Sequence, residues 1–177
     1  MKIYNEIDEG NKIAKKMLYF LLFAILPFLW IFFTYINNPD APILNAIAAS
    51  TSNLPAVLSS NNPLLSKVMD VYTKTAPLFS FIFSLSSIKG MHVRNDKKNT
   101  VLLTNLILYC VFCFVFTYVF LFCNIELTTS GKLLRIMSSN IITLSIFYIT
   151  LYIGIYILLS MLFWFLIGVC KILKERW

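Results

Sequence analysis

The chain has 177 residues, of which 59% are hydrophobic and only 13% charged, with a mean hydropathy of +0.78. A water-soluble domain of that size cannot solvate so much apolar surface, so the composition excludes a soluble globule and defines an integral membrane protein. The 15 basic residues against 8 acidic ones flank apolar runs instead of forming a continuous basic stripe, which argues against a nucleic-acid surface.

Taken in order, residues 1–16 are polar and end in Lys15-Lys16. Residues 17–36 supply the roughly 20 apolar positions that a bilayer core requires, with Pro27 inside them. A signal peptide is disfavoured, because the run is longer than a signal core and Ala46-Ile47-Ala48, the nearest cleavage-like triplet, lies ten residues past its end. The connection that follows is rich in Asn, Ser, Pro and Ala and carries Asp40 as its one charge. Ile43, Leu44 and Ile47 recur at helical spacing, as do Leu54, Val57 and Leu58. That spacing predicts short amphipathic helices on the membrane surface, with a flexible linker as the alternative.

Asn62-Pro63 has the character of a helix start, with Asn at the cap and Pro at the first helical position. Lys67, Asp70 and Lys74 follow at steps of three and four, which puts them on one helical face. Thr75-Ala76-Pro77 then leads into an uncharged run ending at Ile88. The expectation is one long helix from Asn62 to Ile88 that begins in water, ends in lipid and bends near Pro77. A basic loop, residues 89–99, contains the single histidine, His92. The third apolar run covers 100–122 and includes Asn105, which in lipid is expected to find a partner on another helix. A second outer connection, residues 123–140, places Lys132 and Arg135 on one face of a possible short helix and ends in Ser138, Ser139 and Asn140, potential caps. The last run, 141–170, would be about 45 Å long as a helix against a bilayer core of about 30 Å, so it must tilt or protrude.

The predicted fold is therefore all-α and integral to the membrane, a single domain of four transmembrane helices (about 17–36, 69–88, 100–122 and 141–170). Periplasmic connections at 37–68 and 123–140 contain short interfacial helices, and the loop at 89–99 is cytoplasmic. Orientation follows from the bases: the two termini and the middle loop carry eleven, the other side four, Lys67, Lys74, Lys132 and Arg135. Both termini are then cytoplasmic.

The chemistry of an enzyme is not visible. Cys110 and Cys113 lie inside the third run without the second ligand pair that zinc needs, and no nucleophile elbow, phosphate loop or dinucleotide fingerprint occurs. No cofactor or metal is expected. A transporter or channel subunit would show ionisable residues at mid-membrane or internal repeats; spans one, three and four have no such residues in their cores. A membrane assembly factor is the other competing class. What the pattern does offer is helix-helix recognition through small and polar side chains: Thr143, Ser145, Thr150, Gly154 and Ser160 in the last span, and Ser80, Ser84, Ser86 and Ser87 in the second. Packing among the chain's own spans is the alternative use of each.

Two strings go further. LPAVLSSNNPLLSKVMDVYTKTAP (residues 54–77) and NIELTTSGKLLRIMSSNIITL (residues 124–144) resemble the immunity proteins of pore-forming colicins, in the group that protects against colicins A and B, and within it the A type. The resemblance covers nearly the whole chain. It implies a protein of the bacterial inner membrane that binds the pore-forming domain of a cognate, A-type colicin in the bilayer, so that the channel does not open. Family features fall on Leu54, Pro55, Tyr72, Lys74, Thr75, Ala76, Pro77, Glu126, Leu127, Thr128, Thr129, Gly131, Asn140 and Thr143. With Lys67 and Asp70 from the charged stripe, these are the toxin-binding or fold-defining candidates. Where the family commonly has Ala before the glycine, this chain has Ser130.

Overall fold

The computed structural model describes residues 2–90 and 99–176. Most of the expected basic loop, with His92, Arg94, Lys97 and Lys98, lies outside them. The elements run α1 (Lys2–Asn37), α2 (Pro42–Ser50), β1 (Val57–Leu58), α3 (Pro63–Thr73), α4 (Ala76–Ser87) with a closing 3₁₀ turn (Ile88–Gly90), α5 (Asn99–Phe122), β2 (Ile125–Glu126), α6 (Lys132–Ser138) and α7 (Ile141–Arg176).

Among the described residues, three helices are long and apolar enough to cross a membrane, over Gly10–Asn37, Val101–Phe122 and Ile141–Ile172. Each is built on a long apolar run. Pro39 sits just past the end of α1, where it cannot continue the helix. α7 meets no proline or glycine pair in 36 residues and reaches about 54 Å, longer than the 30-residue run suggested. It is the axis of the molecule: α1, α3, α4, α5 and α6 all pack on it.

The second apolar run departs from expectation. There is no single helix from Asn62 to Ile88; α3 stops at Thr73 and α4 restarts at Ala76. Pro77 is the cause. It has no N–H to donate, and its ring clashes with the carbonyl four residues back, that of Thr73. Lys74 and Thr75 therefore flatten to ψ −9° and −12°, and the Thr75 N–H turns back to the Tyr72 carbonyl at 2.9 Å. Hydroxyls take up the slack: Thr75 Oγ1 donates to Tyr72 O (2.7 Å) and Thr73 Oγ1 to Met69 O (2.8 Å). What was expected as a kink is a full break. Pro63 does occupy the first turn of α3, but the Asn62 side chain makes no capping bond.

The two polar connections meet. Their only extended pieces, β1 and β2, pair in parallel, Val57 with Ile125 and Leu58 with Glu126. Val57 and Leu58, expected on a helical turn, are thus strand residues. Both connections lie at one end of the bundle. At the other end the carbonyls that close α4 are capped by lysines, Ser86 O by Lys16 Nζ (2.6 Å) and Ile88 O by Lys171 Nζ (2.7 Å). Cations suit a helix C-terminus.

The core is a row of tyrosines on one face of α7. Tyr148, Tyr152 and Tyr156, spaced by four, are fully buried. Tyr152 stacks on Tyr72 (centroids 5.6 Å, planes 4° apart), and Phe28 meets both rings edge-on. Most of the polar residues suggested for recognition in lipid are spent internally. Ser80 and Ser160 hydroxyls bond each other at 3.1 Å, and Ser84 and Ser145 donate to carbonyls one turn back. Asn105 departs from expectation in the other direction: it lies exposed on the outer face of α5 and is not buried against a neighbouring helix.

Candidate functional site

The end of the bundle that carries both connections is a dense polar cap. Glu126 is one hub. Its Oε1 accepts from the Ser60 N–H (3.0 Å), the Ser60 hydroxyl (3.0 Å), the Thr128 N–H (3.3 Å) and the Thr128 hydroxyl. Partial burial alone would raise the Glu126 carboxyl; the Thr128 and Ser60 hydrogen bonds outweigh it and hold the carboxyl below its ordinary value. The same side chain thereby ties the second connection to the first. Asn124, two residues earlier, repeats the device, accepting the Ala56 N–H at 2.9 Å.

Asp70 is the second hub. It is 1% exposed. Its Oδ1 accepts the Val57 N–H at 3.2 Å, and its Oδ2 pairs with Lys74. A carboxylate so far from water is tolerated only when its lone pairs are met, and β1 and the end of α3 meet them. The third charge of the expected stripe does something else: Lys67 Nζ reaches the Leu54 carbonyl at 2.9 Å. The stripe is a set of struts, not a solvated face.

A third layer fastens the cap to the bundle. The Tyr148 hydroxyl donates to the Val57 carbonyl at 2.6 Å, and the Ser59 hydroxyl and the Asn61 amide both donate to Ser138 O (3.2 and 3.3 Å). Tyr72 donates to Ala24 O on α1 at 2.8 Å. Among the family positions, Thr143 closes the turn into α7 by donating to Met137 O and Asn140 O, and Asn140 Oδ1 caps it by accepting the Ile142 N–H at 3.1 Å. Thr129 donates to Glu126 O at 3.4 Å. Gly131 precedes α6 in a conformation open to any residue, with nothing within 4 Å of an added Cβ. Pro55 and Pro77 are half-buried, and Thr75 stands at the α3–α4 break.

The sequence candidates thus divide by position. Lys67, Asp70, Lys74, Glu126 and Thr128 bond within the cap, Tyr72 ties α3 to α1, and Thr75 and Thr143 close turns; Leu54, Thr129, Gly131 and Asn140 are exposed on the cap. Sequence reasoning passed over Tyr148, Asn124, Ser59 and Ser60, and read Ser138 only as a potential cap. The four-residue spacing of Tyr148, Tyr152 and Tyr156 was a readable signal for the first; the others bond across more than 65 residues and leave no local trace.

This architecture, long apolar helices in a bundle closed by an interlocked polar cap, defines a helical membrane protein. Residues 40–177 match the colicin immunity protein family model. The chain is 40% identical over 174 residues to the colicin-A immunity protein of Citrobacter freundii, covering 97% of each. It is 30% identical over 145 residues to the colicin-B immunity protein of Escherichia coli, covering 81% of this chain and 83% of that one. The chain belongs to the colicin immunity protein family. No solved structure matches it.

Proposed function

We propose that this protein protects a colicin-producing bacterium by binding the pore-forming domain of its cognate, A-type colicin within the inner membrane, so that the channel does not open. The observation that carries this reading is the cap. The two strings that mark the family, far apart in sequence, are bonded into one surface through Glu126, Asn124 and the Val57–Ile125 pair. That surface lies at the end opposite the lysine-capped end of α4.

With the more basic end in the cytoplasm, the cap faces the periplasm, the side from which a colicin arrives. The chain then crosses four times, through α1, α4, α5 and α7, with both termini cytoplasmic. α4 with its 3₁₀ turn spans only about 22 Å. It is the shortest crossing, and its packing on α1 and α7 means it has little need to meet lipid by itself. The exposed cap residues Leu54, Thr129, Gly131 and Asn140 meet the toxin first. In lipid, close packing and hydrogen bonds drive helix association, and the complex only has to favour the closed arrangement of the toxin over the open one.

The test is survival. Cells of a sensitive strain expressing this chain are challenged with a panel of purified pore-forming colicins. Protection against a colicin of the A type, with none against colicins that act by nuclease chemistry, is the expected outcome. Full sensitivity to every pore-forming colicin at normal membrane levels of the protein would overturn the proposal.

A further inference from the structure

At the end of the bundle away from the cap, α1 and the C-terminus of α4 enclose a cleft of about 430 Å³. Lys12 and Lys16 line it from α1, and Ser87 lines it from α4. Lys16 Nζ holds the Ser86 carbonyl at 2.6 Å, which fixes the ammonium at the cleft wall with further N–H groups to offer. Lys12 is exposed. Ser87 is 6% exposed, and its hydroxyl is buried without a hydrogen-bond partner. A buried hydroxyl without a partner is costly, and Ser87 lines the same cleft as Lys12 and Lys16. Ser86 and Gly90 complete the lining together with the apolar Ile13, Leu85 and Ile88.

We propose that this cleft binds the phosphate of an anionic glycerophospholipid. Two lysines supply the charge, the Ser87 hydroxyl donates to a phosphate oxygen, and the apolar wall receives the upper part of an acyl chain. Basic recesses between helices at a membrane surface suit such headgroups. Inorganic phosphate shares the headgroup's chemistry but has no use for Ile13, Leu85 and Ile88. The inference rests on the membrane reading of the fold and is independent of the toxin.

Native mass spectrometry of the detergent-purified full chain tests it, with phosphatidylglycerol, phosphatidylethanolamine and inorganic phosphate as separate probes. One phosphatidylglycerol is expected to be retained in preference to phosphatidylethanolamine. Lys12→Gln should weaken it about fivefold, the loss expected for one cation near a lipid surface, and Ser87→Ala should weaken it as well. Lys15→Gln, one position off the cleft on an exposed site, should leave retention unchanged; all three variants are expected to melt as the parent does. Equal retention of both lipids, an equal effect of Lys15→Gln and Lys12→Gln, or binding of inorganic phosphate as tight as that of phosphatidylglycerol would each overturn the proposal.

Discussion

Asp70 and Lys74, one helical turn apart, form an ion pair at the point where α3 ends, and the Asp70 side chain is 1% exposed while that of Lys74 keeps 18%. Breaking a buried pair by removing one partner leaves an uncompensated charge. Lys74→Met is therefore expected to destabilise the protein by about 2–3 kcal/mol, somewhat less than a fully buried pair because Lys74 touches water. Lys74→Glu should be worse, since it sets two carboxylates against each other. The double variant Asp70→Asn/Lys74→Met should recover most of the loss. Thermal unfolding in detergent, with membrane abundance by blot, reads this out. If Lys74→Met melts like the parent, the pair has no role in the cap.

Glu126 offers a pH test. Its folded carboxyl lies below the ordinary value of 4.5, so its hydrogen bonds stabilise the fold fully above that value and are lost as pH falls through the folded value. Glu126→Gln should lower the melting temperature at pH 7, and the gap to the parent should close progressively below about pH 4.5. A gap independent of pH would show that the charge of Glu126 is irrelevant.

Tyr148 and Tyr72 both donate to backbone carbonyls, with different expected consequences. Val57 O takes no part in the β1–β2 pairing, whose bonds run to Ala56 O and Leu58 O, and Tyr148 is its partner. Tyr148→Phe strands a buried acceptor and should cost about 1–3 kcal/mol. Ala24 O lies inside α1, where helical bonding already serves it, so Tyr72→Phe should cost less. A reversed order in the melting temperatures would contradict this assignment.

Topology is testable by labelling single cysteines in a background without the four native ones. Positions 50 and 130 should react with a membrane-impermeant reagent from the periplasm, and positions near both termini should not. The motivation is the basic asymmetry together with the cap holding both connections at one end. A periplasmic C-terminus would rule out four crossings.

Much of this fold was readable because apolar runs and helical spacing are local. Ile43, Leu44 and Ile47 announce α2, the run from Lys132 to Met137 announces α6, and Asn140 caps α7 as expected. The rest depends on contacts distant in sequence. A parallel pair of two-residue strands has no turn to betray it, so Leu54, Val57 and Leu58 resembled a helical turn. Pro77 was visible, but its clash acts four residues upstream, and whether a helix bends or breaks there depends on the hydroxyls and the ion pair that accept the break. The spacing of Asp70 to Lys67 and Lys74 put the three on one helical face but could not say what that face meets; the burial of Asp70 beneath β1 makes it structural.

The cap gives the proposed seat of specificity a direct test. Leu54–Pro77 and Asn124–Leu144 are bonded to each other, so exchanging one alone breaks the Glu126–Ser60 and Val57–Ile125 contacts and should lower membrane levels. The most direct measurement exchanges both together with those of another colicin immunity protein and scores survival against both toxins, with membrane levels checked by blot. Protection is expected to move toward the other toxin, while replacing residues 89–99 with a different basic loop changes nothing. If the double exchange leaves specificity untouched and the loop replacement abolishes protection, recognition lies on the cytoplasmic side and the cap is not the site.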